Sequence, residues 1–287
     1  MRKVIKEDFD SIHQMLNTIN SRPNNAIMSR ENSSQKSDYS FTKTHSYGEA
    51  MDLIEKGYVD ILPKIKSGIR KLEKKLNTEF NNIKKIRPDN RVEGFTPHVP
   101  NAILNLPDSM INIERHPQKQ KTLDIIYSMG ANCGEDAQLF IDAGVVLLTA
   151  IKILEINRIS VRLKVGFMLG TEDYSGKSGE ITCPTVLVKD YGQRADLQKL
   201  CFPLAHPSMF RRFGFKWLET TPGITSKAWQ CGYGYACEDD VGSRWDDCIK
   251  ELNFSPKEKM IKAQDIRKMN FELKPLLDKL LNKDKDA

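Results

Sequence analysis

Between residues 122 and 189 the apolar positions change from strand spacing to helix spacing and back. Residues 122–128 read as a strand, followed by a turn rich in Gly, Asn and Cys. Residues 135–157 are apolar almost all round, with Phe140, Ile141, Val145, Leu148, Ile151 and Leu154, which predicts a long buried helix. Residues 159–169 alternate through Val161, Leu163, Val165 and Phe167, as a strand does. A strand, helix and strand with no hairpin turn between them form a βαβ unit, whose strands should be parallel. The polar stretch 170–179 then reads as a hairpin loop, and 181–189 returns as a strand that breaks at Asp190-Tyr191-Gly192.

The flanks carry weaker patterns. Phe9, Ile12, Leu16 and Ile19 have helical spacing, whereas 20–39 is rich in Ser and Asn and nearly free of large apolar residues. Such a stretch cannot bury enough surface to offset its ordering entropy, so 1–40 is expected to be a flexible extension. Ser46 and Glu49 have the spacing of a capping box, opening a short helix that ends at Gly57. Ile61, Ile65, Ile69, Leu72, Leu76, Phe80 and Ile83 make one helical stripe. Four prolines between 90 and 120 predict an irregular excursion. Residues 206–218 predict a helix with Phe210, Phe213 and Trp217 toward the core and Arg211, Arg212 and Lys216 toward water. The stretch 231–247 reads as loop, and 256–281 as one or two polar helices. The expected architecture is α/β: a mixed sheet containing a βαβ unit and covered by helices, with helical extensions at both ends. Its domains would be a 1–40 extension, a 41–255 core and a 256–287 helical tail.

Composition narrows the class. At 39% hydrophobic and 29% charged residues, the chain can bury a core and stay soluble. It has no apolar run of the ~18 residues that a membrane span needs, and its start lacks the apolar stretch of a signal peptide. The six cysteines lack the short paired spacings of a zinc site, and free thiols in the cytoplasm are expected. There is no P-loop, no G-x-S-x-G and no H-E-x-x-H, so an enzyme is not the favoured reading. An enzymatic option would have to assemble Asp190, His206 and Asp239.

The layout of 120–220 resembles a von Willebrand factor A-type domain. In that family the first strand ends Asp-x-Ser-x-Ser, whose oxygens hold a magnesium ion. Here Ser128, Gly130 and Asn132 stand in those places, so the anionic ligand is missing and neither metal nor cofactor is expected. Two further phrases, 94–112 (GFTPHVPNAILNLPDSMIN) and 202–219 (FPLAHPSMFRRFGFKWLE), resemble an uncharacterised family of tailed-bacteriophage and prophage proteins, with Val188-Lys189-Asp190 adding to the likeness. That resemblance spans 41–225 and implies work in the host cytoplasm.

The candidate binding residues are therefore Ser128, Asn132 and Asp190 at the sheet's end, and His206, Arg211 and Arg212 on the aromatic helix. Lys71, Lys74 and Lys75 on the basic helix complete the set. The preferred expectation is a non-enzymatic protein that binds a host or phage protein, assisting replication or assembly or inhibiting a host defence complex. The alternative is nucleic-acid binding through the 64–87 helix with Arg211 and Arg212. No membrane partner is expected.

Overall fold

A computed structural model describes residues 2–28, 32–79, 89–112, 121–171, 179–230, 232–237 and 244–281. Residues 1–69 and 122–287 form one compact unit, and 70–121 form a second.

In the larger unit the chain opens with strand β1 (Lys3–Phe9) and helix α1 (Ile12–Ser21). Two single-turn helices follow, α2 (Ser33–Lys36) and α3 (Tyr39–Thr42), then α4 (Tyr47–Lys56). The Ser46 hydroxyl accepts the Glu49 amide at 3.0 Å, and the Glu49 carboxylate reaches back to the His45 amide, one residue before the cap. Helix α5 (Leu62–Glu79) begins on the buried Ile61 and Ile65. Its predicted continuation to Ile83 lies outside the described residues, as do the side chains beyond Arg70.

The second unit is more ordered than its prolines suggest. Strands β2 (Asp89–Arg91), β3 (Thr96–Pro97) and β4 (Met110–Asn112) form an antiparallel sheet in the order β2-β4-β3, with helix α6 (Val99–Ile103) in the β3–β4 connection. Gly94 permits this turn, because a Cβ there would lie 2.3 Å from the Ile111 carbonyl oxygen.

The larger unit resumes with β5 (Lys121–Ser128), α7 (Ala137–Ile156) and β6 (Ile159–Gly166). Strands β5 and β6 are neighbours, as the predicted unit requires. Short β7 (Leu169–Gly170) and long β8 (Glu180–Lys189) follow, and β8 runs antiparallel to both β6 and β7. Helix α8 (Leu197–Ala205) packs on α7 where Gly144 meets Ala205. A Cβ on Gly144 would stand 2.4 Å from that of Ala205, so the crossing needs glycine. A π-helical turn (Met209–Gly214) runs into α9 (Phe215–Thr220). The chain then forms β9 (Tyr235–Ala236), α10 (Arg244–Leu252), β10 (Glu258–Lys262), α11 (Ala263–Lys268) and α12 (Leu273–Leu281).

The main sheet has the order β10-β5-β6-β8-β7-β9, with β1 on the free side of β8. Both chain ends therefore differ from expectation. Residues 3–9 pair in parallel with 180–186, from Lys3 opposite Glu180 to Phe9 opposite Val186. At the other end β10 pairs in parallel with β5. The segments predicted as a flexible extension and a helical tail thus each supply a strand. Local pattern missed them because both are short and mostly polar, as strands at a sheet's margin are.

Candidate functional site

The sequence-derived candidates fall into three places. At the end of β5, Ser128 is buried and its hydroxyl lies 3.5 Å from the Gly166 carbonyl oxygen. The Asn132 side-chain oxygen accepts the Ala236 amide, and the Gly130 carbonyl accepts from Gln264. This turn is tied into the fold on both sides. Asp190 makes a separate arrangement, accepting the Tyr191 amide at 2.8 Å and the Arg162 Nε at 2.9 Å. Those two donors hold its carboxyl below the ordinary range. Asp239 lies outside the described residues.

The third place is the π-helical turn, and here the structure corrects the sequence. Arg211 and Arg212 do not face water: they are 1% and 0% exposed. Arg212 donates to Thr44 Oγ1, to the carbonyls of Ser34, Gln35, Ser37 and Thr44, and to Thr42 Oγ1. Arg211 donates to the carbonyls of Phe41 and Glu135, each at 2.6 Å, and lies over the rings of Phe41 and Phe140. Burial brings the Arg211 pKa down to about 10. The physical reason is twofold. A π turn carries more residues per turn than the 3.6 used to divide the helix into faces. The segment 33–44, whose first part to residue 40 belongs to the expected flexible extension, covers the side assigned to solvent.

His206 belongs to the same buried layer. Its Nδ1 accepts the Ser208 amide at 3.2 Å, and its ring stacks on Phe202 and meets Tyr58 edge-on. Burial, followed by the charge of Arg212, lowers its pKa to about 4, so it is neutral at pH 7. It caps a helix, and its hydrogen-bond partner is a backbone amide rather than Asp190.

The aromatic half of the prediction agrees with the structure. Phe210, Phe213 and Trp217 are all buried, and the Trp217 indole donates to Glu7 Oε2 at 2.7 Å. Burial alone would raise the Glu7 pKa, but hydrogen bonds from Arg22 and Trp217 outweigh it and the pKa falls. Trp217→Ala is expected to cost about 3–5 kcal/mol in urea denaturation, the range for emptying a large aromatic site. Trp217→Phe should cost less, because it fills most of the space and leaves Glu7 with Arg22. A midpoint unchanged by Trp217→Ala would show that this ring is not part of the core.

With the arginines spent on structure, the surface that stands out is in the smaller unit. Val92, Phe95, Val99, Ile103, Leu104 and Leu106 are 45–78% exposed, and they are six of the eleven exposed large apolar side chains among the described residues. No side chain described between 90 and 111 is buried. Backbone and side-chain bonds hold the segment together, among them His98 N–H to the Ser109 carbonyl and Asn101 to the Asp108 carbonyl. Exposed apolar side chains gathered in one segment in this way mark an interaction surface. Residues 70–121 also carry eleven Lys and Arg against six Asp and Glu, a net +5 of the chain's +6. Lys71, Lys74 and Lys75 belong to that count and lie on α5, but their side chains are outside the described residues. The sequence signal for this surface was the recurrence of large apolar residues among prolines, which periodicity alone does not register.

The fold defines a mixed α/β protein with one helix-covered sheet and a small basic, apolar second unit. A family described as a domain of unknown function (DUF7192) matches residues 2–272, and the chain belongs to that family. No curated protein and no solved structure matches it. Among the described residues no helix is long and apolar enough to cross a membrane, and no group of three or more His, Cys, Asp or Glu could hold a metal ion.

Proposed function

We propose that the protein acts by binding another protein through residues 92–106, as a phage-encoded factor in the host cytoplasm. The observation that carries this reading is the cluster of exposed apolar side chains with no buried counterpart in its own segment. Five of the six are aliphatic, which suits an apolar protein surface better than stacked bases, since base binding relies on aromatic platforms. The surplus of positive charge in the sequence of 70–121 favours a partner whose rim is acidic. The partner in this reading is a replication or assembly component or a host defence complex. The phage setting rests on the phrases at 94–112 and 202–219.

Two triple variants test the reading. Phe95→Ser/Ile103→Ser/Leu104→Ser should leave the melting temperature within about 2 °C, as surface changes do. It should also reduce cross-links between 92–106 and a protein partner in infected cells by about tenfold or more. Lys71→Glu/Lys74→Glu/Lys75→Glu should slow association and leave DNA and RNA affinity weak at every salt concentration. Nucleic-acid binding that falls steeply between about 50 and 200 mM salt and disappears in the lysine variant would overturn the proposal for the nucleic-acid alternative.

A further inference from the structure

We infer that Cys237 and Cys248 are a thiol pair that closes to a disulfide under oxidising conditions, a modification site that staples β9 to α10. Of the five described cysteines, Cys133 is exposed, and Cys183, Cys201, Cys237 and Cys248 are buried. Within that set, the sulfurs of Cys237 and Cys248 stand 2.7 Å apart. Non-bonded heavy atoms settle at roughly 3.5–4.0 Å, so this pair sits inside ordinary contact. It is within about 0.7 Å of the ~2.05 Å of a sulfur–sulfur bond.

The surroundings hold both ends in place. The Cys237 amide donates to the Met168 carbonyl at 2.9 Å, fixing it beside the sheet. Cys248 lies within α10, and both side chains belong to a fully apolar cluster with Met168, Ile181, Cys183 and Leu252. Ten residues, 238–247, separate the two cysteines. A covalent bond here would close a short loop at the corner of the sheet, where β9 pairs with β7.

The chemistry balances with a low-molecular-weight disulfide such as oxidised glutathione as the oxidant. One cysteine thiolate attacks that disulfide, forming a mixed disulfide and releasing one small thiol. The second cysteine, as thiolate, then displaces the other small thiol and forms the internal bond. Two protein thiols are oxidised, one small disulfide is reduced to two thiols, and each proton lost by a cysteine ends on a released thiol. Both sulfurs are fully buried, so reaction waits on local opening and should be slow in the native state.

The test uses the full chain in two forms, one kept reduced and one refolded from urea in a glutathione redox buffer, so that burial does not prevent reaction. Alkylation after denaturation, followed by intact-mass and peptide analysis, should show two fewer alkylated cysteines. One cross-linked peptide pair should contain Cys237 and Cys248. The oxidised form should melt about 5 °C higher, the shift expected for closing a short loop in a chain of this size. Cys248→Ala should abolish both changes, and Cys201→Ala should preserve both. Full alkylation after oxidative refolding would overturn the inference, as would a bond from Cys183 to either cysteine. Stoichiometric zinc retained by the wild type and lost in Cys248→Ala would also overturn it.

Discussion

A chain beginning at residue 41 is expected to be insoluble or unfolded, because 2–28 and 32–40 are built into the larger unit. Phe9, Met15, Leu16, Ile19 and Met28 are each at most 4% exposed. At about 1.5–3 kcal/mol per buried side chain, together they contribute on the order of 10 kcal/mol. That is comparable to the whole stability of a typical domain, about 5–15 kcal/mol. Deletion would also strip β1 from β8, leaving seven paired positions of a central strand open. It would remove Glu7 from the Trp217 indole and the Ser34 hydroxyl from the buried Glu219 carboxylate, and the Asn25 side chain would no longer reach the Leu218 and Thr221 carbonyls. Expression of 41–287, with far-UV circular dichroism of any soluble fraction, decides the matter. A soluble 41–287 fragment melting within a few degrees of the full chain would return 1–40 to the role of a flexible extension.

The same segment explains most of what the sequence concealed. The βαβ stretch was legible because α7 and β6 carry long, regular apolar patterns whose period needs no distant partner. The capping box at Ser46 and the core face of Phe210, Phe213 and Trp217 were legible for the same reason. What could not be read was the fate of polar residues whose partners lie far away in the chain. Ser34 reads as a linker residue and Thr42 and Thr44 belong to no apolar pattern, yet all three are fully buried beside Arg212. Their burial depends on a guanidinium about 170 positions away, and nothing local announces it. The misplacement of Arg211 and Arg212 on a wet face and the expectation of a mobile linker are thus one error with two ends. The exposed surface at 92–106 escaped for a different reason: its apolar side chains follow neither period, because no core claims them.

That reciprocal arrangement makes Arg212 a sensitive position in the larger unit. Its guanidinium reaches four carbonyl oxygens and two hydroxyls between residues 34 and 44, at distances from 2.5 to 3.3 Å. No carboxylate is among these acceptors, so the cation is held by converging dipoles rather than by an ion pair. Burial lowers its pKa, with Glu49 acting in the opposite direction. Removing the charge relieves part of that burial cost, but it leaves several buried acceptors without donors at about 1–3 kcal/mol each. The second effect wins, and Arg212→Ala is expected to destabilise by about 3–5 kcal/mol, as breaking a buried charged network does. Arg212→Lys should recover little of this. It retains the charge, but three donors on a flexible stem cannot reproduce a planar five-donor fork. Arg211→Ala should cost less than Arg212→Ala, since Arg211 donates only to the Phe41 and Glu135 carbonyls and its Nε has no partner. Urea denaturation of the three variants gives the ranking directly. If Arg212→Ala changes stability by less than about 0.5 kcal/mol, the range of ordinary surface substitutions, and instead weakens nucleic-acid binding, the side chain faces solvent and the buried clamp is wrong.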